Sequence, residues 1–419
     1  MPPLPTETTT AWAIILVATG CVIARPFRLP EAIWAVAGAV LLVALGLLPL
    51  GDALGGMRKG IDVYLFLTGM MLIAELARRE GLFDWLAALA VEHARGSPQR
   101  LFLLVYAVGT LVTVLLSNDA TAIVLTPAVY AATRAAGATP LPYLLVCAFI
   151  ANAASFVLPI SNPANLVVYG ARMPHLAEWL RHYTLPSLAA IAATYVVLRF
   201  VLRKVLKEEH LERDVPRPHL SRQGRLTAFG IGAIGAVLLG ASALDIPLGL
   251  PTFVCGAVTA ALVLLLSRRS PVPLVKGIAW GVLPLVAGLF VMVEELIRTG
   301  VIAGLGALLH QAVAQSVAKA TWTTGIATAI ADSIANNLPV GLIAGSVAGS
   351  DHLPRVVTSA ILIGVDLGPN LSVTGSLATI LWLVALRREG IEVSAWRFLK
   401  IGWLVMFPAL ILALAALQA

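Results

Sequence analysis

The chain has 419 residues, of which 59% are hydrophobic and only 12% charged, and its mean hydropathy is +0.91. A soluble domain carries about a quarter charged residues, so this composition excludes both a soluble globular protein and a disordered one. The net charge of +7 comes from 29 basic residues spread between apolar runs, so no basic domain for nucleic acid is formed. These basic residues instead indicate loops on the cytoplasmic side of a membrane.

Ten apolar runs approach the length that crosses the hydrocarbon layer, which takes roughly 20 helical residues. In chain order they are 8–24, 31–50, 61–79, 141–171, 184–205, 226–244, 249–267, 276–297, 354–386 and 398–417. The runs 141–171 and 354–386 are too long for one plain helix, and each contains a polar stretch with proline. These stretches are PISNPAN at 159–165 and DLGPN at 366–370. They predict two broken helices.

Two other regions, 101–134 and 320–350, consist of paired apolar legs of about 14 to 17 residues with a polar tip between them. The tips contain SND at 117–119 and DSIANN at 332–337. Because each leg is short for a full crossing, the pattern favours two re-entrant hairpins, with two crossings per region as the alternative.

Lysine and arginine collect in short loops, and this sets the expected orientation. The densest cluster, at 199–225, contains Arg199, Arg203, Lys204, Lys207, Arg213, Arg217, Arg222 and Arg225. With this cluster in the cytoplasm, counting crossings places most other basic loops there too, the pair Arg58 and Lys59 being the exception. Both termini are then expected on the non-cytoplasmic side. The N-terminal MPPLPTETTT lacks the basic stretch of a cleavable signal peptide, so none is expected.

The order three spans, hairpin, broken helix, span occurs twice, which predicts an internal repeat. An N-terminal repeat at 1–206 and a C-terminal repeat at 226–419 are joined by a basic cytoplasmic linker at 207–225. Each half crosses an odd number of times, so the second copy is inverted. The expected fold is therefore an all-α polytopic membrane protein with an inverted-topology repeat, about ten spans, two re-entrant hairpins and two broken helices. This is the usual plan of a secondary transporter.

The helix breaks and hairpin tips predict a binding site. A broken backbone inside a bilayer leaves polar groups without partners unless they line an enclosed or watery site. The two helix breaks and the two hairpin tips are therefore expected to serve one site. If the tips meet the broken helices, one cavity collects Ser117, Asn118, Thr121, Asn162, Asn165, Asn336, Asn337, Asn370, Ser372 and Thr374. Without a fixed lysine or arginine, it suits a small neutral polyhydroxy solute or a cation better than a di- or tricarboxylate. For any single asparagine, a cap on a helix end is the alternative interpretation.

Three aspartates are candidates for proton coupling, because an ionisable group at membrane depth is costly and indicates function. Asp119 lies at the first tip, Asp332 near the second, and Asp366 at the second helix break. The seven histidines fall in loops or near span ends, so no metal or cofactor site is expected. No GxxxxGK[ST] phosphate loop occurs, so transport is not expected to be powered by ATP hydrolysis within this chain. The expected protein is a transporter and not an enzyme.

Four motifs carry a family resemblance. They are SNDATAIVLTP at 117–127, SNPANLV at 161–167, NNLPVGL at 336–342 and GVDLGPNLSVTGSLATILWL at 364–383. In order and spacing, over essentially the whole chain, they resemble the ArsB family of arsenite/antimonite efflux permeases. The SND tip is shared with the wider ion transporter superfamily, whereas the DLGPN and TGSLATILW stretch is more particular to ArsB.

The resemblance implies export of arsenite and antimonite across a bacterial inner membrane, in exchange for protons or with a soluble arsenite-stimulated ATPase subunit. It also places the sodium-site asparagines of related carriers on Asn118 and Asn336, and the threonine that follows each of them on Asp119 and Asn337. An aspartate at 119 is consistent with a proton taking the place of sodium. Asn370 stands where some family members have lysine, so the second break has no fixed cation.

Two alternatives stay open at this point. A sodium/proton antiporter of the same superfamily would use the same fold and the same carboxylates. Ligation of As(III) by thiols is the competing model of the binding site, because As(III) is thiophilic. The wide separation of Cys21, Cys147 and Cys255 argues against this second model. The sequence indicates no oligomeric state.

Overall fold

The computed structural model describes residues 5–208, 211–212, 219–350 and 353–419. Every regular element in these ranges is a helix, which confirms the predicted all-α class. The predicted linker at 207–225 is only partly covered, and its basic residues Arg213 and Arg217 lie outside the described residues.

The first half of the chain, as far as it is described, forms ten α-helices. They are α1 (Pro5–Ala24), α2 (Glu31–Ala44), α3 (Leu50–Lys59), α4 (Ile61–Arg79), α5 (Leu82–Ala94), α6 (Pro98–Leu115), α7 (Thr126–Ala135), α8 (Leu141–Ala153), α9 (Pro163–Tyr169) and α10 (Leu176–Glu208). A bend of 47° separates α3 from α4.

The second half contributes another ten α-helices within the described ranges. They are α11 (Arg222–Ala243), α12 (Gly249–Ser267), α13 (Val272–Gly277), α14 (Val282–Arg298), α15 (Val301–Gln315), α16 (Val317–Ala335), α17 (Asn337–Ser350), α18 (Arg355–Leu367), α19 (Leu377–Arg388) and α20 (Ala395–Leu417). Short 3₁₀ turns at Pro159–Ser161 and Gly368–Asn370 fall within the two predicted helix breaks.

Individual helices differ in length from the apolar runs that predict them. Among the described residues, six helices are long and apolar enough to cross a membrane, namely α1, α6, α10, α11, α12 and α20, and the bent pair α3–α4 makes a seventh candidate. The run 31–50 contains a helix of only 14 residues, because Gly46 turns the chain at φ +70° and Pro49 caps α3. The run 276–297 yields the 17-residue α14, which begins at Val282.

Both hairpins begin three residues earlier than the sequence predicts, because each first leg starts at a serine cap. The Ser97 side chain accepts a hydrogen bond from the Arg100 amide, and the Ser316 side chain accepts one from Lys319. The legs α6 and α16 therefore have 18 and 19 residues. The argument from short legs fails for these two helices, so the re-entrant path of the hairpins stays a prediction.

The packing partners of the two halves are reciprocal. Helix α4 packs against α12, while α14 packs against α2, and the long helices α10 and α20 pack against each other. Exchange of equivalent helices across the molecule is what a repeat related by a pseudo-two-fold axis requires. These contacts support the predicted repeat, whose boundaries at 206 and 226 stay predictions.

Candidate functional site

The first helix break lies between α8 and α9, and Asn165 stabilises it. The Asn165 side chain is fully buried, and its amide donates to the carbonyl oxygens of Ser155 (2.9 Å), Leu158 (3.2 Å) and Pro159 (3.3 Å). The Leu158 carbonyl also accepts from the Ser161 amide at 3.1 Å, but leaving the Ser155 and Pro159 carbonyls unpaired in an apolar environment would be costly. The amide of Asn165 is thus occupied by its own break, as the capping interpretation requires.

Asn162 links this break to the second half of the chain. Its side-chain oxygen accepts from the Ala164 amide at 3.0 Å, which caps α9, and its side-chain nitrogen donates to Asp366 Oδ1 at the end of α18. Both side chains are buried, at 2% and 0% exposure. The bond joins residues 204 positions apart in the chain.

A second buried carboxylate lies beside Asp366. Asp332 on α16 is fully buried and interacts electrostatically with Asp366. A Cβ atom built at Gly368 would lie only 2.9 Å from Asp332 Oδ2, so the carboxylate packs directly on the backbone of the second break. Within the described residues, both oxygens of Asp332 and Oδ2 of Asp366 have no hydrogen-bond partner. Two like charges in such an environment repel strongly, so this pair is suited to hold a proton.

The second break, after α18, is stabilised by hydrogen bonds of the Asn370 side chain. The Asn370 side chain donates to the Phe149 carbonyl at 3.1 Å and accepts from the Asn152 side chain at 3.0 Å. Both asparagines are buried. Asn152 was not among the predicted site residues; an asparagine inside the apolar run 141–158 is the signal that points to it.

The second hairpin tip is attached to the same break. The hydroxyls of Ser372 and Thr374 both donate to the Ser333 carbonyl, at 3.1 Å for Thr374, and the Asn337 amide donates to the Gly375 carbonyl at 3.0 Å. The chain reverses at Asn336, which has φ +75°, a conformation that L side chains rarely adopt.

The first hairpin tip is held by its own polar residues. The Ser117 hydroxyl accepts from the Ala120 amide at 3.1 Å, and Asn118 Oδ1 accepts from the Asp119 amide at 2.9 Å. Thr121 shares a hydrogen bond of 2.8 Å with Thr113, while the Asp119 side chain is half-buried.

The hairpins pack on the helices that follow the opposite breaks. The tip of the first hairpin continues into a π-helix at Ala120–Leu125, just before Pro127, which cannot donate a backbone hydrogen bond. This π-helix packs against α19, whereas α17 of the second hairpin packs against α9.

The predicted residues therefore do not form a single group. Asn162, Asp332 and Asp366 form one buried cluster, which we call the carboxylate cluster, and Asn370 adjoins it at the second break. Ser117, Asn118 and Asp119 contact one another, and no side-chain hydrogen bond among the described residues connects them to the carboxylate cluster. Convergence of all these groups on one cavity stays a prediction.

Two buried glutamates outside the carboxylate cluster are each paired with arginine. Glu75 binds Arg78 and Arg79 at 2.7 Å, and Glu295 binds Arg298 at 3.0 Å. No lysine or arginine side chain in the described part of the chain forms a hydrogen bond or ion pair with Asp332 or Asp366. The carboxylate cluster therefore has no fixed cation, and Asp366 interacts with the Asn162 amide and the Ser155 hydroxyl.

Two cavities adjoin the hairpins and breaks. One, which we call the vestibule, has a volume of about 520 Å³ and is bounded by the α9–α10 connection, α17 and the first turns of α18. The other, of about 800 Å³, lies between α9 and α17 on one side and α4, α14 and the α11–α12 connection on the other. Neither is lined by the hairpin tips.

Apolar helices of membrane length, broken helices that cross-brace each other, and a buried carboxylate cluster define the class of the protein: it is a polytopic membrane transporter and not an enzyme. The fold agrees with a solved structure, that of the YdaH transporter of Alcanivorax borkumensis, at a TM-score of 0.59 and 15% identity, covering 99% of this chain and 98% of that one.

Comparison with known sequences identifies the family. Residues 14–362 match the family model CitMHS, described as citrate transporter, and the chain belongs to this family. It is 29% identical over 420 residues to the arsenical pump membrane protein of Escherichia coli K12, covering 97% of each chain. It is 26% identical to an uncharacterized transporter of Mycobacterium tuberculosis H37Rv over 418 residues, 97% of this chain and 96% of that one.

Proposed function

We propose that this transporter exports arsenite and antimonite from the cytoplasm in exchange for protons. The carboxylate cluster is the observation that carries the proposal, because it places two buried aspartates beside amide groups without a cation. The motif resemblance to the ArsB permeases supports the substrate. So does the arsenical pump membrane protein that aligns with 97% of the chain.

The chemistry of the cluster favours a neutral solute over citrate. A tricarboxylate is usually bound by arginine or lysine, and neither contacts Asp332 or Asp366. Arsenite near neutral pH is the uncharged trihydroxide, whose hydroxyl groups both donate to and accept from amide side chains. Antimonite offers the same pattern of hydroxyl groups.

The proposed mechanism assigns the proton to the aspartates. Asp366 is the main carrier, since its Oδ2 is buried and unpartnered while Asn162 holds Oδ1. Asp332 shares the proton with Asp366, and Asp119 at the first tip is a second site. The solute is held among amides and hydroxyls of the tips and breaks, namely Ser117, Asn118, Thr121, Asn162, Asn165, Asn336, Asn337, Asn370 and Ser372. Asn165 contributes through its side-chain oxygen, which is free of hydrogen bonds in the described structure.

The proposed location is the inner membrane of a bacterium, with both termini outside. With that orientation, the connections that line the vestibule lie on the outer side. Proton exchange by the chain alone suffices for transport, and a soluble ATPase subunit is not part of the proposal. Reporter fusions at the two termini, active only on one side of the membrane, test the orientation.

Uptake into everted membrane vesicles tests the function. Vesicles that contain the transporter should accumulate arsenite when a proton gradient is imposed and lose it when the gradient is collapsed. Citrate, sodium and lithium serve as competing substrates in the same assay. A proton flux that responds to sodium but not to arsenite would favour the sodium/proton antiporter instead.

A cysteine-free variant separates the two models of the substrate site. Cys147 is buried in α8, whereas Cys21 and Cys255 lie half-buried on α1 and α12. No group of three potential metal ligands is found among the described residues. We expect the variant with all three cysteines replaced by alanine to retain arsenite uptake; its loss in a folded variant would support thiol ligation.

A further inference from the structure

Three hydroxyl groups lie together where the vestibule meets the protein interior. The Tyr169 and Tyr183 hydroxyls hydrogen-bond to each other at 2.6 Å, and Ser359 interacts with both. Tyr183 and Ser359 are buried, Tyr169 is half-buried, and all three line the vestibule. They come from three separate elements, α9, α10 and α18.

The same hydroxyl cluster points toward the carboxylate cluster. Ser359 and Asp366 are seven residues apart on α18, so they share a helix face and are separated by about 10.5 Å along its axis. Tyr183 is close enough to Asp366 to interact with it electrostatically. The hydroxyls therefore lie between the vestibule and a carboxylate that has no exposed surface.

The charged groups of the vestibule do not offer a competing route. They are Arg172, His175, Glu178, His182, Asp245 and Arg355. Its two carboxylates are both paired, Glu178 with Arg355 and Asp245 with His175. His182 is held on its own helix, where its Nδ1 lies 2.9 Å from the Glu178 carbonyl oxygen. Helices α9 and α17 contribute no charged side chain.

We propose that the Tyr169, Tyr183 and Ser359 hydroxyls form the route by which protons from the outer side reach Asp366. A hydroxyl group can accept a proton on one side while it donates its own on the other, so a contiguous set can relay a proton inward without a net change. This inference rests on the proposed proton exchange and adds the residues through which the proton enters.

The tyrosines also pack as aromatic side chains, so the test needs a measurement that packing alone does not change. Tyr183 lies 4.4 Å from the Trp179 ring, and phenylalanine at 183 keeps that contact while it removes the hydroxyl. Arsenite–arsenite exchange across a proteoliposome membrane needs binding and the transport movement but no net proton transfer. Arsenite-driven proton flux, which a trapped pH dye measures, needs net proton transfer as well as binding and the transport movement.

We expect Tyr169→Phe and Tyr183→Phe to slow arsenite-driven proton flux about tenfold, which corresponds to about 1.4 kcal/mol in the barrier, and to leave arsenite–arsenite exchange near wild type. Tyr106→Phe is the matched control. It removes a buried tyrosine hydroxyl that donates to the Ile191 carbonyl, outside the hydroxyl cluster, and both rates should stay unchanged.

Wild-type proton flux in both the double variant Tyr169→Phe/Tyr183→Phe and Ser359→Ala would overturn the route while leaving the proposed function intact. If a tyrosine variant loses arsenite–arsenite exchange as well, the proton flux of Ser359→Ala decides whether the route holds. This substitution removes a hydroxyl of the cluster with little change in volume. Absence of arsenite-dependent proton flux in the wild type would overturn proton exchange, and the route with it.

Discussion

Replacement of Asp366 by asparagine is the most direct perturbation of the proposed mechanism. The change keeps the shape of the side chain and an oxygen that can accept from Asn162, but it removes the group that binds a proton. Asp366 is fully buried, and Oδ2 has no hydrogen-bond partner among the described residues, so the substituted amide breaks no hydrogen bond there. We expect the variant to fold and to bind arsenite.

The expected loss is in accumulation rather than in exchange. For one proton per solute, each pH unit across the membrane supplies about 1.4 kcal/mol, which supports about tenfold accumulation of arsenite. Asp366→Asn should reduce this ratio to about one, with arsenite–arsenite exchange retained. Accumulation is measured in proteoliposomes at imposed gradients of increasing size, with Asp52→Asn, an exposed aspartate on α3, as the control.

A full gradient-dependent accumulation ratio in Asp366→Asn would refute this assignment. The same measurement on Asp119→Asn and Asp332→Asn then shows whether another aspartate carries the proton. If all three variants accumulate arsenite like the wild type, the carboxylates are not the coupling groups.

Two substitutions test the supports of the site. Asn165→Ala leaves the buried Ser155 and Pro159 carbonyls without this donor and should lower the free energy of unfolding by about 2 kcal/mol or more, which thermal denaturation in detergent measures against exposed Gln311→Ala. Unchanged stability would show that this break is satisfied in another way. Gly368→Ala places a Cβ 2.6 Å from the Ala329 carbonyl and 2.9 Å from Asp332 Oδ2, so it should cost about 1–3 kcal/mol and impair proton coupling. Gly232→Ala, with no atom within 4 Å of its Cβ, should do neither.

The broken helices were predictable from the sequence because their cause is local. Proline and asparagine within a long apolar run interrupt the helix, and the structure places both breaks at or beside the predicted stretches. The exact residues at which the helices begin and end were harder to predict. Asn162 reads as part of the polar stretch, but it caps α9, so the helix begins at Pro163 inside the predicted break.

The contacts that join the halves could not be derived in the same way. The Asn162–Asp366 and Asn152–Asn370 bonds connect residues 204 and 218 positions apart, and no local pattern specifies which buried polar groups meet. Asn152 lies inside a strongly apolar run, so its single amide side chain does not mark the position as part of a polar site. The sequence thus indicated which polar residues matter more reliably than which of them form pairs.

Charge transfer per cycle separates the proposed function from its alternative. Exchange of a neutral trihydroxide for one proton moves a net charge, whereas exchange of one sodium ion for one proton moves none. No lysine or arginine pairs with the carboxylate cluster, so the bound proton, and no fixed cation, neutralises the carboxylate there. A membrane potential alone should therefore drive arsenite accumulation, because 100 mV is worth about 2.3 kcal/mol per charge, or roughly fiftyfold. Proteoliposomes with little internal potassium, diluted into potassium medium with valinomycin at equal pH on both sides, acquire a positive lumen that drives proton exit and so measure this; accumulation that ignores the potential would exclude the exchange of neutral arsenite for a proton.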